Sequence, residues 1–178
     1  MTQNHDEHMA NQAQLAIEFI NELKARMPIE IAEVRRQAGE FATTSVFATS
    51  QAHPVLEPQQ AYKALSYRSK ALAASGEVSG MMKLQGKLFG LHGIHKENDT
   101  IEQCMQKLHQ QVKTLSEDIA PNVDSLMLKA MRYSEMHPDY GTHMASAIEA
   151  HSETDGFARV FTLASEIAQK IEEREKNK

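Results

Sequence analysis

Cysteine is almost missing from this chain. Cys104 stands alone among 178 residues, so no intrachain disulfide is available, and a reducing, cytoplasmic setting is the expectation. Tryptophan is absent and aromatics reach only 6%. The core must then be filled by Leu, Ile, Ala and Met, which favours helices over strands. Five prolines and eight glycines are too few for the many turns of an all-β fold. No apolar run approaches the ~18 residues of a membrane span. The polar, acidic opening MTQNHDEHMANQ is unlike a secretory or organellar leader.

What is present is ordinary for a globular domain: 41% hydrophobic and 24% charged residues, enough to bury one core and against wholesale disorder. A net charge of −5 is unevenly spread. Residues 1–60 carry 4 basic and 8 acidic side chains, residues 61–98 carry 6 and 2, and residues 99–178 carry 9 and 14. Only the central segment is basic. Screening confines a local field to ~8–10 Å, so such a patch can attract an anionic partner on an acidic molecule.

The densest apolar stretch is Glu77 to His95, with Val78, Met81, Met82, Leu84, Leu88, Phe89, Leu91 and Ile94 at three- and four-residue steps. That is the period of one helix face. Gly80, Gly86 and Gly90 interrupt it, each costing roughly 1 kcal/mol against Ala in a helix. They predict either close backbone approach to another element or a short or broken helix.

Around this stretch the spacing predicts an all-α, compact multi-helix bundle of about six to eight helices, a single domain over 10–173 with frayed tails at 1–9 and 174–178. One helix runs from Ala10 to Met27, and Pro28 either kinks it or opens the next, which reaches about Ala42. Ser50–Pro58 reads as a connection, and Pro58 opens a helix that ends near Ser75-Gly76, a tight turn making an αα-hairpin with the glycine-rich stretch. Asp99 and Glu102 match a capping box for a helix over 99–119 with Cys104 on its inner stripe. Ala120-Pro121 starts another, stopping near His137-Pro138. A short helix over Thr142–His151 and a last one over Phe157–Glu173, capped by Ser152 or Thr154, complete the set.

Chemistry is sparse. His5/His8 and His92/His95 are spaced i,i+3 and His143/His151 eight apart, but none has the carboxylate or cysteine companions of a metal site. No metal, cofactor or catalytic residue is assigned, and an enzyme is not expected. Cys104 reads as a small buried hydrophobe. The pair Met81-Met82, with Leu88 and Phe89, either lines an adaptable surface for a protein partner or fills the core. Lys63, Arg68, Lys70, Lys83 and Lys87 give the hairpin either a phosphate-binding face or an ordinary solvated one.

Residues 61–98, AYKALSYRSKALAASGEVSGMMKLQGKLFGLHGIHKEN, resemble a segment of phage terminase small subunits. There a helix, a small-residue turn and a second helix are followed by a charged stretch. The matching letters here are Leu84, Gly86, Lys87, Leu88, Gly90 and Leu91, and the match covers about a fifth of the chain. The resemblance implies an oligomeric, ring-forming, non-enzymatic DNA-recognition subunit that engages a packaging ATPase. The leading expectation is a cytoplasmic helical adaptor that binds a protein partner and self-associates, without a membrane. The DNA-binding subunit is the alternative.

Overall fold

A computed structural model describes residues 2–51, 58–90, 96 and 99–177, with side chains from Met9 to Ser50, Gln59 to Gly90, at Lys96 and from Asp99 to Asn177. Among the described residues there are four helices: α1 (Thr2–Gln51), α2 (Pro58–Phe89), α3 (Ile101–Ala130) and α4 (Pro138–Lys176). The all-α expectation holds, but six to eight helices become four, because four of the expected breaks are not breaks. No described helix is long and apolar enough to cross a membrane.

Pro28 and Pro121 lie inside α1 and α3. Each removes a backbone donor, and together with the ring clash this costs about 3 kcal/mol in a helix interior. Both rings sit on exposed positions, while Met27, Ile31 and Val34 bury apolar surface on either side of Pro28, and around Pro121 Ile119 is buried in the core and Val123 packs against it. Burying a single such side chain contributes about 1.5–3 kcal/mol, so continuing the helix through the proline wins. Ser75-Gly76 and Ser152/Thr154 likewise fall in the interiors of α2 and α4. The αα-hairpin expected over 61–98 is therefore one straight run as far as Phe89. Ser50 still belongs to α1, residues 52–57 of the expected connection lie outside the described residues, and α2 starts at Pro58. α3 ends at Ala130, short of the expected His137-Pro138, and α4 starts at Pro138, ahead of the expected Thr142. The expected frayed start belongs to α1, whose backbone is helical from Thr2.

The box that opens α3 is shifted by one residue from the expected Asp99/Glu102. Thr100 accepts from the Gln103 amide at 3.3 Å, and the Gln103 side chain accepts from the Thr100 amide at 2.9 Å. Asp99 instead closes the preceding loop, accepting from the Lys96 amide at 2.6 Å and pairing with Lys107. Both tetrads fit the capping pattern; Lys96 and Lys107 decide between them.

Cross-helix contacts fix the topology. Ser45 donates to the Ala64 carbonyl and Phe41 meets Tyr67, so α2 returns antiparallel along α1. Glu18 pairs with Arg174 and Glu30 with Arg159, setting α4 antiparallel to α1, and His109 against Phe161 sets α3 antiparallel to α4. In an ordinary up-down-up-down bundle the parallel pair α2 and α4 would sit on a diagonal. Here they form one of the three principal interfaces, with α1–α2 and α3–α4.

Glycine permits that close approach. A Cβ added at Gly76 would collide with the Glu149 carbonyl, at Gly80 with that of Glu153, and at Gly156 with that of Glu77. Helix separation depends on the side chains at the contact, and three missing methyl groups let two backbones touch. Of the three glycines named above, Gly80 carries the expected close approach. Gly86 has open space around it, and an added Cβ at Gly90 meets only the Gly86 carbonyl. Polar contacts brace the same waist: Arg159 donates to Glu77 at 2.8 Å and Glu30 at 3.4 Å, and Lys83 and Ser79 both hold Glu153.

The large core lies on one side of this waist. It is built from Phe19, Leu23 and Met27 of α1, Met81, Leu84 and Leu88 of α2, Leu108 of α3 and Phe157 and Ile167 of α4. On the other side the buried positions outside this cluster are small: Ser45, Ala48, Ala64, Ala130, Ala147 and Ala150.

Candidate partner-binding groove

The small-residue end of the molecule carries its most exposed apolar surface. Nine of the thirteen large apolar side chains found exposed among the described residues are there: Val46, Phe47, Tyr62 and Leu65 on the α1–α2 arm, and Met127, Leu128, Met131, Tyr133 and Met136 on the α3–α4 arm. Val46 is 69% and Leu65 63% exposed, values outside what a packed helix pair would leave on its inner side.

Between the two helices of the first arm runs a groove of about 910 Å³. Its α1 wall is Ala38, Gly39, Ala42, Ser45, Val46 and Thr49, a repeat of three- and four-residue steps that keeps one face toward the cleft. Its α2 wall is Ala71, Leu72 and Ser75, and Glu149 of α4 closes the inner end. From Arg35 to Ser50 the α1 wall runs roughly 22 Å at 1.5 Å per residue, about four helical turns. A helix is the element that fits a cleft of this length and width.

Three charges stand on its rim. Arg35, Arg68 and Glu149 all line the groove. No ion pair joins them to one another or to another described side chain, and Arg35 only touches the Met82 sulfur at 3.4 Å. Three other arginines hold carboxylates, Arg36 with Glu33 and Glu40, Arg159 with Glu30 and Glu77, Arg174 with Glu18, while Arg26 and Arg132, like the groove pair, make no ion pair among the described residues. The Arg36 contact holds the Glu33 carboxyl down to about 2, with Gln37 adding a second hydrogen bond.

The residues singled out from sequence are dispersed. Met81 and Leu88 are core side chains, so neither forms part of a surface. Met82 is exposed beside Arg35, and Phe89 is half-buried with the Lys24 ammonium 5.4 Å over its ring. Met127, Met131 and Met136 are exposed at the far corner, while Met105 and Met144 are half-buried. They do not make one groove. The basic residues part in the same way, because a continuous helix sends them to different faces. Lys70 lies over Phe41 and Tyr67 on the side of the arm away from the groove, and Lys63 lies one heptad before it. Arg68 faces the groove. Lys83, tied to Glu153 at 2.5 Å, and Lys87 share a separate cleft with Asp118 and Asn122.

Cys104 is fully buried, and burial first, with the Asp99 charge second, pushes its thiol up to about 11. His92 and His95 lie outside the described residues, as do the side chains of His5 and His8. Tyr133 stacks between His137 at 4.7 Å and His143 at 5.9 Å. Among the described residues no three His, Cys, Asp or Glu side chains form a group able to hold a metal ion.

Sequence reasoning missed the groove. Its signal is a run of small residues, Ala38, Gly39, Ala42, Ser45 and Thr49, at positions where a helix facing a core would carry Leu or Ile. No protein family, curated protein or solved structure matches this chain.

Proposed function

We propose that this chain is a cytoplasmic, non-enzymatic interaction protein that takes a helix of a protein partner in the α1–α2 groove. The observation that carries the reading is the four-turn cleft walled by small side chains, at the end where most of the exposed apolar surface gathers. Contiguous apolar surface on a folded protein marks an interaction site more often than a scattered side chain does. A helix laid along such walls approaches backbone to backbone, as α2 and α4 do at their own glycines. The single, buried cysteine fits a reducing compartment. Self-association through the same surface belongs to this reading as a competing occupant.

A photo-crosslinking residue placed at Ala42 or Val46, in the protein expressed in its cell of origin, tests it. The expected result is a discrete adduct with a second polypeptide from both positions and none from Lys113, an exposed residue of α3 far from the groove. Equal labelling from all three positions, or none from the groove, removes the reading.

A ring-forming DNA-recognition subunit draws less support. It calls on a hairpin turn where α2 is continuous and on five cations that do not share one face. Its mark is binding to duplex DNA that falls steeply with salt and weakens when Lys83 and Lys87 become Glu.

A further inference from the structure

Resting on the groove reading, we infer that the occupant is an acidic amphipathic helix, with two carboxylates two turns apart that meet Arg68 and Arg35. Three observations converge on this chemistry. First, the walls offer two guanidinium groups with no carboxylate partner among the described residues, in a molecule whose net charge is −5 and whose other groove charge is the single Glu149. Arginine presents a planar fork matched to a carboxylate, and an exposed apolar cleft rimmed by unsatisfied forks selects acids over bases.

Second, the spacing is fixed by the arm itself. Ser45 bonds to Ala64 across the antiparallel pair, which puts Arg68 level with residue 41 of α1. Arg35 is six residues farther along, roughly 9 Å at 1.5 Å per residue. On an incoming helix that distance separates side chains six or seven positions apart, and those at seven share a face. Beyond Arg68 the α1 wall carries Ser45, Val46, Thr49 and Ser50 and no further charge, so the wall asks for no third charged residue on the occupant.

Third, the groove wall has room for a close approach. An added Cβ at Gly39, as at Gly86 and Gly141, meets nothing within 4 Å, and of these three only Gly39 lines the groove, between the levels of Arg35 and Arg68.

The test is selection from a displayed library of 18-residue helical peptides on the full chain, with counter-selection on two blocked variants, Ala42→Trp and Gly39→Leu. Both substitutions point into open groove, and thermal melts confirm that the variants fold. The expected outcome is a set of clones lost on both blocked variants and enriched in Asp or Glu pairs six or seven positions apart. A synthetic peptide of that set loses at least tenfold in affinity against Arg35→Glu/Arg68→Glu. Exchanging its two acids for lysine restores binding to that double variant. Groove-dependent clones that are neutral or basic, or a charge exchange that fails to restore binding, overturn the acidic helix and leave the groove standing. Absence of any clone sensitive to the blocked variants overturns the groove as well. Concentration-dependent self-association abolished by Ala42→Trp replaces the partner helix by a second copy of this chain.

Discussion

The two ends of the molecule are built from the same four helices with different side chains. On the core side of the glycine waist, Phe, Leu, Ile and Met fill the buried positions. On the far side, Ala and Ser occupy the buried positions and the large apolar residues turn outward. Large inward side chains supply transfer free energy at about 25 cal/mol per Å², so the core end holds the fold. The far end contributes little to it and keeps surface for binding. Elements that serve as binding sites are commonly drawn from the less stable part of a fold, and here the division follows side-chain size.

That contrast is most directly broken in the core. Phe157→Ala removes a fully buried ring and is expected to cost about 4 kcal/mol, read as a lower denaturation midpoint at unchanged slope. Val46→Ala, at the other end, should change stability by less than about 0.5 kcal/mol. Equal losses at both sites would mean that the ends are energetically alike. Next in size is Gly80→Ala, which drives a methyl group into the Glu153 carbonyl. Separating α2 from α4 is expected to cost about 3 kcal/mol, at the upper end for overpacking, read from the same denaturation curves.

Cys104 sharpens the comparison through pH. Its folded value, raised to about 11 from 9.0 by burial, means that the native state keeps the proton while the unfolded chain releases it. The stabilisation is whole below about pH 9 and is lost as pH rises toward about 11. Cys104→Ala should flatten that alkaline decline. An unchanged alkaline profile in the variant would assign the loss to other groups. The smallest effect has the opposite sign. Gly39→Ala meets open space and should stabilise the chain by about 0.5–1 kcal/mol, measured by the same denaturation curves.

Helical class was legible because the evidence for it is local. The stripe Ile101, Cys104, Leu108, Val112 and Leu115 announces a helix whatever it packs against, and all five lie in the core or against it. Glycine and proline were read as punctuation, and both misled for one reason. Their local cost, about 1 and 3 kcal/mol, sets a preference that packing on both sides can outweigh. Gly76 looked like a turn and is instead the point where two backbones meet. Met81 and Leu88 looked available to a partner, and only the position of α4 shows that they are enclosed. The groove was hidden for the complementary reason: small residues carry no strong periodic signal, so Ala38, Gly39 and Ala42 are noticed once α2 stands beside them.

By itself, then, the sequence determined that the chain is helical, that its core is largely aliphatic, that its one cysteine makes no internal disulfide, and that α2 begins at Pro58. Those properties follow from composition and from residues within a few turns of one another. Tertiary structure decided the number of helices, the parallel contact of α2 with α4, the segregation of large and small side chains to opposite ends, and the cleft between Arg35 and Arg68. Each of these depends on which helix faces which, over separations of up to 156 residues as at Glu18 and Arg174, and that choice is made by summed burial across the whole chain rather than by any local preference.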